Sequence, residues 1–187
     1  MALPGNYTVN LSVNKLTMSK PFSILKNPVS ENSLADMKLQ FDFINDINTK
    51  VSEIHKALIN VGKVKAQIKT LKSSINDKKK HESLLNFADE LSEKITKIET
   101  TLYQTKSKSG QDPLNFPIRL NNKLAHLNSL TRMGTYKPTD QAIAFKNEIT
   151  KDIDTELSKL YVLFNKEVKE LNQKVKDSQI DLIQLEK

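Results

Sequence analysis

Residues 34–75, "LADMKLQFDFINDINTKVSEIHKALINVGKVKAQIKTLKSSI", decide the fold class of this chain. Apolar residues recur in this stretch at steps of three or four, which is the period of an amphipathic α-helix. At 1.5 Å per residue, a stripe of about 40 residues predicts one helix about 60 Å long. Ser30 or Asn32, which follow Pro28, can cap its N-terminus. The stripe consists of Leu34, Met37, Phe41, Ile44, Ile47, Val51, Ile54, Leu58, Val61, Val64, Ile68, Leu71 and Ile75.

Three further helices are predicted after the first. The second carries apolar residues at alternating steps of four and three, from Leu84 to Leu102. The third and shortest starts near Pro117, carries leucines at positions 120, 124, 127 and 130, and ends around Gly134. The last is capped by Thr139 or Asp140 and continues almost to the end of the chain. Its stripe consists of Ile143, Ile149, Ile153, Leu157, Leu160, Phe164, Val168, Leu171, Val175 and Leu182, and the spacing of Tyr161 and Phe164 indicates core packing.

The N-terminal segment has a different period. Apolar residues alternate with polar ones from Tyr7 to Val13 and again, roughly, from Leu16 to Ile24, which is the period of β-strands. Asn14-Lys15 can form the tight turn between them, although a glycine suits such a turn better. Two strands alone are marginally stable in water. The pair must therefore pack on the helices, pair with another chain, or be the remnant of a larger sheet, and we favour the remnant.

The predicted fold class is mainly α. An antiparallel four-helix bundle with long first and last helices occupies residues 29–187. A short β-hairpin occupies residues 1–28, as the remnant of a preceding β-sandwich domain. Phe41, Ile95, Leu124 and Phe164 are the predicted core residues.

Composition limits the classes of partner. The 187 residues carry a formal net charge of +7, with a pI near 9.4. Nucleic acid is nevertheless not the expected partner, because the cations are nearly all lysines that alternate with acidic residues, as on a solvated helix face. Arg119 and Arg132 are the only arginines. Cysteine is absent, and no apolar run is long enough to span a membrane. The first residues, "MALPGNYTV", lack the charged and apolar regions of a signal peptide, so none is expected within this sequence.

No pattern typical of a catalytic site is present. The histidines are not paired at the helical spacing that a metal site needs, and the acidic residues of 152–156 follow in two-residue steps, which point successive side chains to different helix faces. There is no G-x-S-x-G motif and no phosphate-binding glycine loop. We therefore predict that this chain is not an enzyme and that it has no catalytic, cofactor-binding or metal-binding residues and no cofactor. The residues considered were His55, His81, His126, Asp152, Asp154 and Glu156.

Two stretches resemble a known family. "GNYTVNLSVN" at 5–14 with "PFSILKNP" at 21–28 resembles the closing strands of a β-sandwich. "DPLNFPIRLNNKLAHLNSL" at 112–130, followed by Met133-Gly134 and Pro138-Thr139, resembles a C-terminal helical region. Both are similar to large secreted Bacteroidetes proteins described as sortilin- or VPS10-like, or as BNR-repeat glycosyl hydrolases. The chain differs from that family where Asn27-Pro28-Val29 replaces Asp-Pro-Arg, and where the hairpin turn lacks its glycine.

The resemblance implies a role for the chain. In that family a β-propeller precedes a small β-domain and the helical region, and any hydrolase chemistry belongs to the propeller. The implied function is a non-catalytic C-terminal accessory domain, which acts as a spacer, docking surface or stabilising element of a larger secreted, periplasmic or cell-surface protein. Its partners would be the upstream domains of the same polypeptide. Two alternatives remain: a stand-alone helical interaction or self-association module, and an anionic-surface or nucleic-acid binder suggested by net charge alone.

Overall fold

A computed structural model describes residues 2–180 of the chain. The protein is mainly helical, with 64% of residues in helices, and it begins with an antiparallel two-stranded hairpin. This confirms the predicted class and the predicted hairpin. A short 3₁₀ helix covers Asp112–Leu114. The remaining elements are β1 (Gly5–Val13), β2 (Leu16–Ile24), α1 (Leu34–Ser74), α2 (Glu82–Leu102), α3 (Leu120–Thr131), α4 (Asp140–Asn165) and α5 (Glu167–Asp177).

Helix α1 is 41 residues long, as its apolar stripe predicts. Its N-cap is Ser33, however, and not Ser30 or Asn32. The Ser33 hydroxyl accepts a hydrogen bond from the Asp36 N–H at 3.0 Å, and the Asp36 carboxylate accepts one from the Ser33 N–H. This reciprocal pair is a capping box, which satisfies two N–H groups that a helix start otherwise leaves free. The hydrogen bond from the Ser33 hydroxyl is the main cause of the lowered pKa of Asp36.

The predicted boundaries of the later helices need correction. The predicted last helix is divided at Lys166 into α4 and α5, and no proline or glycine marks the break. Thr139 caps α4 by accepting the Ala142 N–H at 3.1 Å, as predicted. Helix α3 starts at Leu120 and ends at Thr131, inside the predicted limits of Pro117 and Gly134. Leu182, the last residue of the predicted stripe, lies outside the described residues.

Buried apolar side chains from all five α-helices form one hydrophobic cluster. Ile95 and Leu124 are fully buried in it, as predicted, and Phe164 is partly buried against it. The prediction for Phe41 is wrong, because Phe41 is only half-buried and lies outside the cluster. Phe43 takes the buried place, since the core-facing side of α1 passes through positions 40, 43 and 47.

Four apolar residues that the helical period places in the core are exposed. Leu34 and Ile143 lie in the first turns of α1 and α4, and Leu130 lies in the last turn of α3. Helix ends extend past their neighbours, so the apolar period there does not guarantee a covering element. Tyr161, near the C-terminal end of α4, is also exposed.

Lysine–carboxylate pairs connect the long helices. Lys65 of α1 lies 2.7 Å from Glu99 of α2, and Lys50 of α1 lies 2.6 Å from Asp154 of α4. Partial burial alone would lower the pKa of Lys50, but its hydrogen bonds to Asp154 and Glu53 outweigh this and raise it. Exposed pairs contribute little stability individually. Their value here is that they identify which stretches of helix are neighbours.

Acid should loosen the loop between α2 and α3. The Asp112 carboxylate accepts hydrogen bonds from the N–H groups of Lys108 and Ser109 and from the Ser109 hydroxyl. The Lys108 and Ser109 N–H groups are the main cause of the lowered pKa of Asp112, whose ordinary value is 3.8. A carboxyl with a lowered folded-state pKa stabilises the fold above its unfolded pKa. That stabilisation is lost as the pH falls through the folded-state pKa.

An NMR titration checks this prediction. The amide shifts of Lys108 and Ser109 should change together with the Asp112 carboxyl at a pH below 3.8. Asp112→Asn should abolish this titration. Amide shifts that follow an ordinary or raised carboxyl pKa would contradict the prediction.

Candidate interaction site at the N-terminal hairpin

The hairpin has one apolar and one polar face. β1 pairs with β2 from Gly5 opposite Ile24 to Val13 opposite Leu16, without a bulge. Because side chains alternate between the faces of a strand, directly opposite residues share a face. The apolar face carries Tyr7, Val9, Leu11, Val13, Leu16, Met18, Phe22 and Ile24, together with Lys20.

The turn between the strands contains only Asn14 and Lys15. Asn14 has a φ of 55°, in the left-handed region that asparagine tolerates better than most other residues. Asparagine therefore supplies the conformation for which the sequence lacks a glycine. The two-residue turn fixes the register, and the register keeps all the apolar side chains on one face.

Cross-strand hydrogen bonds order the polar face. Ser19 donates to the Asn10 side chain at 2.7 Å, and Ser23 donates to the Asn6 side chain at the same distance. The hydroxyls of Ser12 and Thr17 lie 2.9 Å apart. Three of the four residue pairs on this face are thus hydrogen-bonded to each other within the hairpin.

The apolar face, by contrast, is open along most of its length. Among the described residues, neither strand approaches a helix to within 8 Å between Cα atoms. Leu16 at the tip is 76% exposed and Met18 is 66% exposed. Tyr7 and Phe22 stack on each other with their ring centroids 5.7 Å apart. In the part of the chain that the structure describes, this face is an ordered apolar surface without a cover.

The base of the hairpin is where it meets the helices. Residues 2–4, Ile24, Leu25 and Asn27 line a cavity of about 190 Å³ together with Met37, Phe41 and Ile44 of α1. The Tyr7 hydroxyl donates to the Leu3 carbonyl at 2.7 Å and so fixes the entering chain against β1. Phe41, predicted as a core residue, thus lies beneath the base of the hairpin. The hairpin is attached at its base, and its tip points away from the helices.

A buried glutamine supports the helical surface next to this base. The side-chain amide of Gln40 is almost fully buried and donates to the carbonyls of Thr131 at 2.7 Å and Gly134 at 3.1 Å. It therefore joins α1 to the connection between α3 and α4. Gln40 is polar and does not belong to the apolar stripe of α1, so the hydrophobic period did not predict its burial or this hydrogen bond.

Replacing Gln40 by methionine should destabilise the protein by about 1–3 kcal/mol, because the shape is kept while two carbonyls lose their donor. The measurement is equilibrium unfolding in urea. Gln67→Met is the matched control, since Gln67 lies on the same helix and is exposed. Equal effects of the two substitutions would contradict the assigned role of Gln40.

The residues considered for chemistry do not come together. His55 is exposed, with its ring edge-on to Tyr103, and His81 precedes α2. Asp154 pairs with Lys50, and Glu156 pairs with Lys159 at 2.6 Å. Within residues 2–180 there is no group of three or more histidine or acidic side chains that could hold a metal ion. No helix in the same range is long and apolar enough to cross a membrane.

A second apolar surface is a groove of about 620 Å³ lined by residues of α3, α4 and the connection between them. Leu130, Met133, Tyr136 and Phe145 line it, and all four are exposed. His126 stands at its edge with two lysines, Lys123 and Lys137. The groove is open and has no enclosed polar group, so its residues do not define a ligand.

No known protein family, no curated protein and no solved structure matches the chain. What the chain does must therefore be argued from its own residues. The hairpin is the feature with the clearest argument, since its apolar face is both ordered and open.

Proposed function

We propose that this chain is a non-catalytic accessory domain whose hairpin docks on another domain of the same, larger polypeptide. The observation that carries the proposal is the open apolar face of the hairpin. Apolar area left in water forgoes about 25 cal/mol per Å² of stabilisation. A face with eight apolar side chains in one register is therefore expected to be covered when the protein works.

The size of the face argues for a cover on the same polypeptide. Nine residues at about 3.3 Å each give a length of about 30 Å, and two strands give a width of about 10 Å. The resulting area of about 300 Å² is well below the roughly 800 Å² per partner of a stable complex between separate proteins. A covalently linked domain escapes most of the entropy cost of association, so a small face is sufficient.

The parent protein is proposed from the resemblance described above. The stretches at 5–28 and 112–139 are similar to the end of secreted, sortilin-like β-propeller proteins described as glycosyl hydrolases. In such a protein the hairpin would complete a β-sandwich, and the helices would act as a spacer or stabilising element behind it. Catalysis, if the parent has any, would lie in the propeller.

The helices would form a bundle in this proposal, in an arrangement that modifies the predicted one. Lys65 pairs with Glu99 and Lys72 with Asp89, so the numbering of α2 falls as that of α1 rises. The bonds from Gln40 to Thr131 and between Asn48 and Asn128 support a position of α3 beside the first part of α1. We infer that α2 and α3 follow one another antiparallel to α1.

The fourth helical segment completes this bundle. Asp46 pairs with Lys146 and Lys50 with Asp154, so α4 follows α1 in the same direction. We infer three passes around one core, with α4 and α5 forming the third pass. Such a rod would hold the hairpin at one end and the α1–α2 turn at the other.

The intact mass of the native protein tests the proposed function. The polypeptide that carries this sequence should be isolated from its source in both cell and exported fractions. We expect a species several times larger than 21.3 kDa in the exported fraction. A native species of about 21 kDa in the cytoplasm would contradict the proposal and favour a stand-alone helical interaction protein.

A further inference from the structure

The two outer edges of the hairpin differ in their capacity to accept another strand. A two-residue turn closes on a hydrogen-bonded pair, which here is Val13 with Leu16. Hydrogen-bonded and non-hydrogen-bonded pairs then alternate along the ladder. At the non-hydrogen-bonded pairs the backbone N–H and C=O groups of both residues point outward. These pairs are Asn6–Ser23, Thr8–Pro21, Asn10–Ser19 and Ser12–Thr17.

Proline occupies one of these outward positions on β2. Pro21 has no N–H, so the outer edge of β2 lacks the donor that its partner Thr8 supplies on β1. Prolines within sheets are confined mainly to edge strands, where they hinder further pairing. The outer edge of β1 keeps an unbroken row of four donors, from Asn6, Thr8, Asn10 and Ser12.

We propose that β1 accepts a further β-strand along its outer edge, while β2 is the terminal strand of the completed sheet. The occupant is a strand from a preceding domain of the same polypeptide, so the inference rests on the proposed function. The added strand would extend the sheet on the β1 side and continue the apolar face of the hairpin beyond Tyr7, Val9 and Leu11. A second copy of this chain is the weaker choice, because one hairpin face of about 300 Å² is too small for a stable dimer.

Hydrogen exchange on the native polypeptide tests the inference. The amides of Thr8, Asn10 and Ser12 should exchange at least about tenfold more slowly than those of Thr17, Ser19 and Ser23, because a bonded amide exchanges only upon opening. Slow exchange on β2 alone, or fast exchange on both edges, would overturn the inference. Protection of β1 that appears only at high protein concentration would indicate a second copy and would overturn it too.

Two proline substitutions provide a matched pair of variants. Asn10 and Ser19 are directly opposite, both have outward N–H groups, and they share one side-chain hydrogen bond. Asn10→Pro should abolish the slow exchange of Thr8 and Ser12 in the native polypeptide, whereas Ser19→Pro should leave it in place. Equal effects of the two variants would overturn the inference. If Asn10→Pro does not fold, the exchange pattern of the unaltered protein decides alone.

The outcomes separate the inference from the proposed function. A larger exported protein with fast-exchanging β1 amides would overturn the inference and leave the proposed function standing. A native protein of about 21 kDa would remove the proposed function and, with it, the strand that the inference requires.

Discussion

Replacing Ile95 by alanine is expected to lower the free energy of unfolding by about 2–5 kcal/mol, which is the range for large buried aliphatic side chains. Ile95 is fully buried at the centre of the cluster that all five helices share. Its removal leaves a cavity that rigid, interlocked neighbours cannot fill. Leu124→Ala should have a similar effect, since Leu124 is equally buried on α3. The measurement is unfolding in urea followed by far-ultraviolet circular dichroism.

Leu130→Ala is the control for this prediction. Leu130 lies on the same helix as Leu124, six residues further along, and is 49% exposed. Its truncation should change the free energy of unfolding by no more than about 0.5–1 kcal/mol. Near-neutral results for both Ile95 and Leu124 would contradict the assigned helix faces.

Replacing Leu11 by aspartate is expected to have a small effect in the 187-residue chain and a large one in the native polypeptide. In the 187-residue chain the substitution should change the free energy of unfolding of the helices by less than about 0.5 kcal/mol, because Leu11 is exposed and away from the core. In the native polypeptide it should weaken docking of the hairpin by more than about 3 kcal/mol. There, a leucine loses its burial and a charge enters an apolar interface.

Ser12→Asp is the matched control for the Leu11 substitution. Ser12 is the next residue of β1 and is also exposed, but it belongs to the polar face of the hairpin. It should be tolerated in both settings, apart from the loss of its bond with Thr17. Urea unfolding and limited proteolysis at the hairpin are the measurements. An equal response to both substitutions in the native polypeptide would show that the apolar face is not the docking face.

The elements with a strong period were the ones that sequence could predict. The stripe of α1 and the alternation of β1 and β2 each arise from one repeated spacing, and the structure has all three elements. The Asn14-Lys15 turn was also correctly placed, because a turn there leaves the apolar Val13 and Leu16 opposite each other at the ends of the two strands. Ser33 was missed as the N-cap, since several capping residues lie close together before α1.

Features that depend on tertiary neighbours could not be predicted. Gln40 is buried because the carbonyls of Thr131 and Gly134 lie beside it and accept its hydrogen bonds. The hydrophobic period of α1 contains no information on where those carbonyls lie. Phe41 and Phe43 are chemically identical, so the choice between them depends on how α1 is turned toward the core. The break at Lys166 has no local signal of proline or glycine, and we have no physical account of it.

The candidate site was predicted only in part. The alternating pattern predicted the hairpin, and the marginal stability of two strands indicated that they need a cover. The pattern did not indicate that the hairpin would meet the helices at its base, which depends on the placement of residues 2–4, Ile24, Leu25 and Asn27 against α1. The difference between the two edges could not be predicted without the register. Only the pairing of Pro21 with Thr8 shows that the missing N–H of Pro21 belongs to the outer edge of β2.

Oxidation of Met18 by hydrogen peroxide, followed by mass spectrometry, tests the docking of the hairpin most directly. Met133 is 71% exposed and Met37 is 6% exposed, so they serve as internal references for open and buried methionines. In the 187-residue chain Met18 should be oxidised about as fast as Met133. In the native polypeptide we predict that Met18 becomes as slow as Met37 while Met133 stays fast. A Met18 that is oxidised as fast as Met133 in the native polypeptide would contradict the docked hairpin.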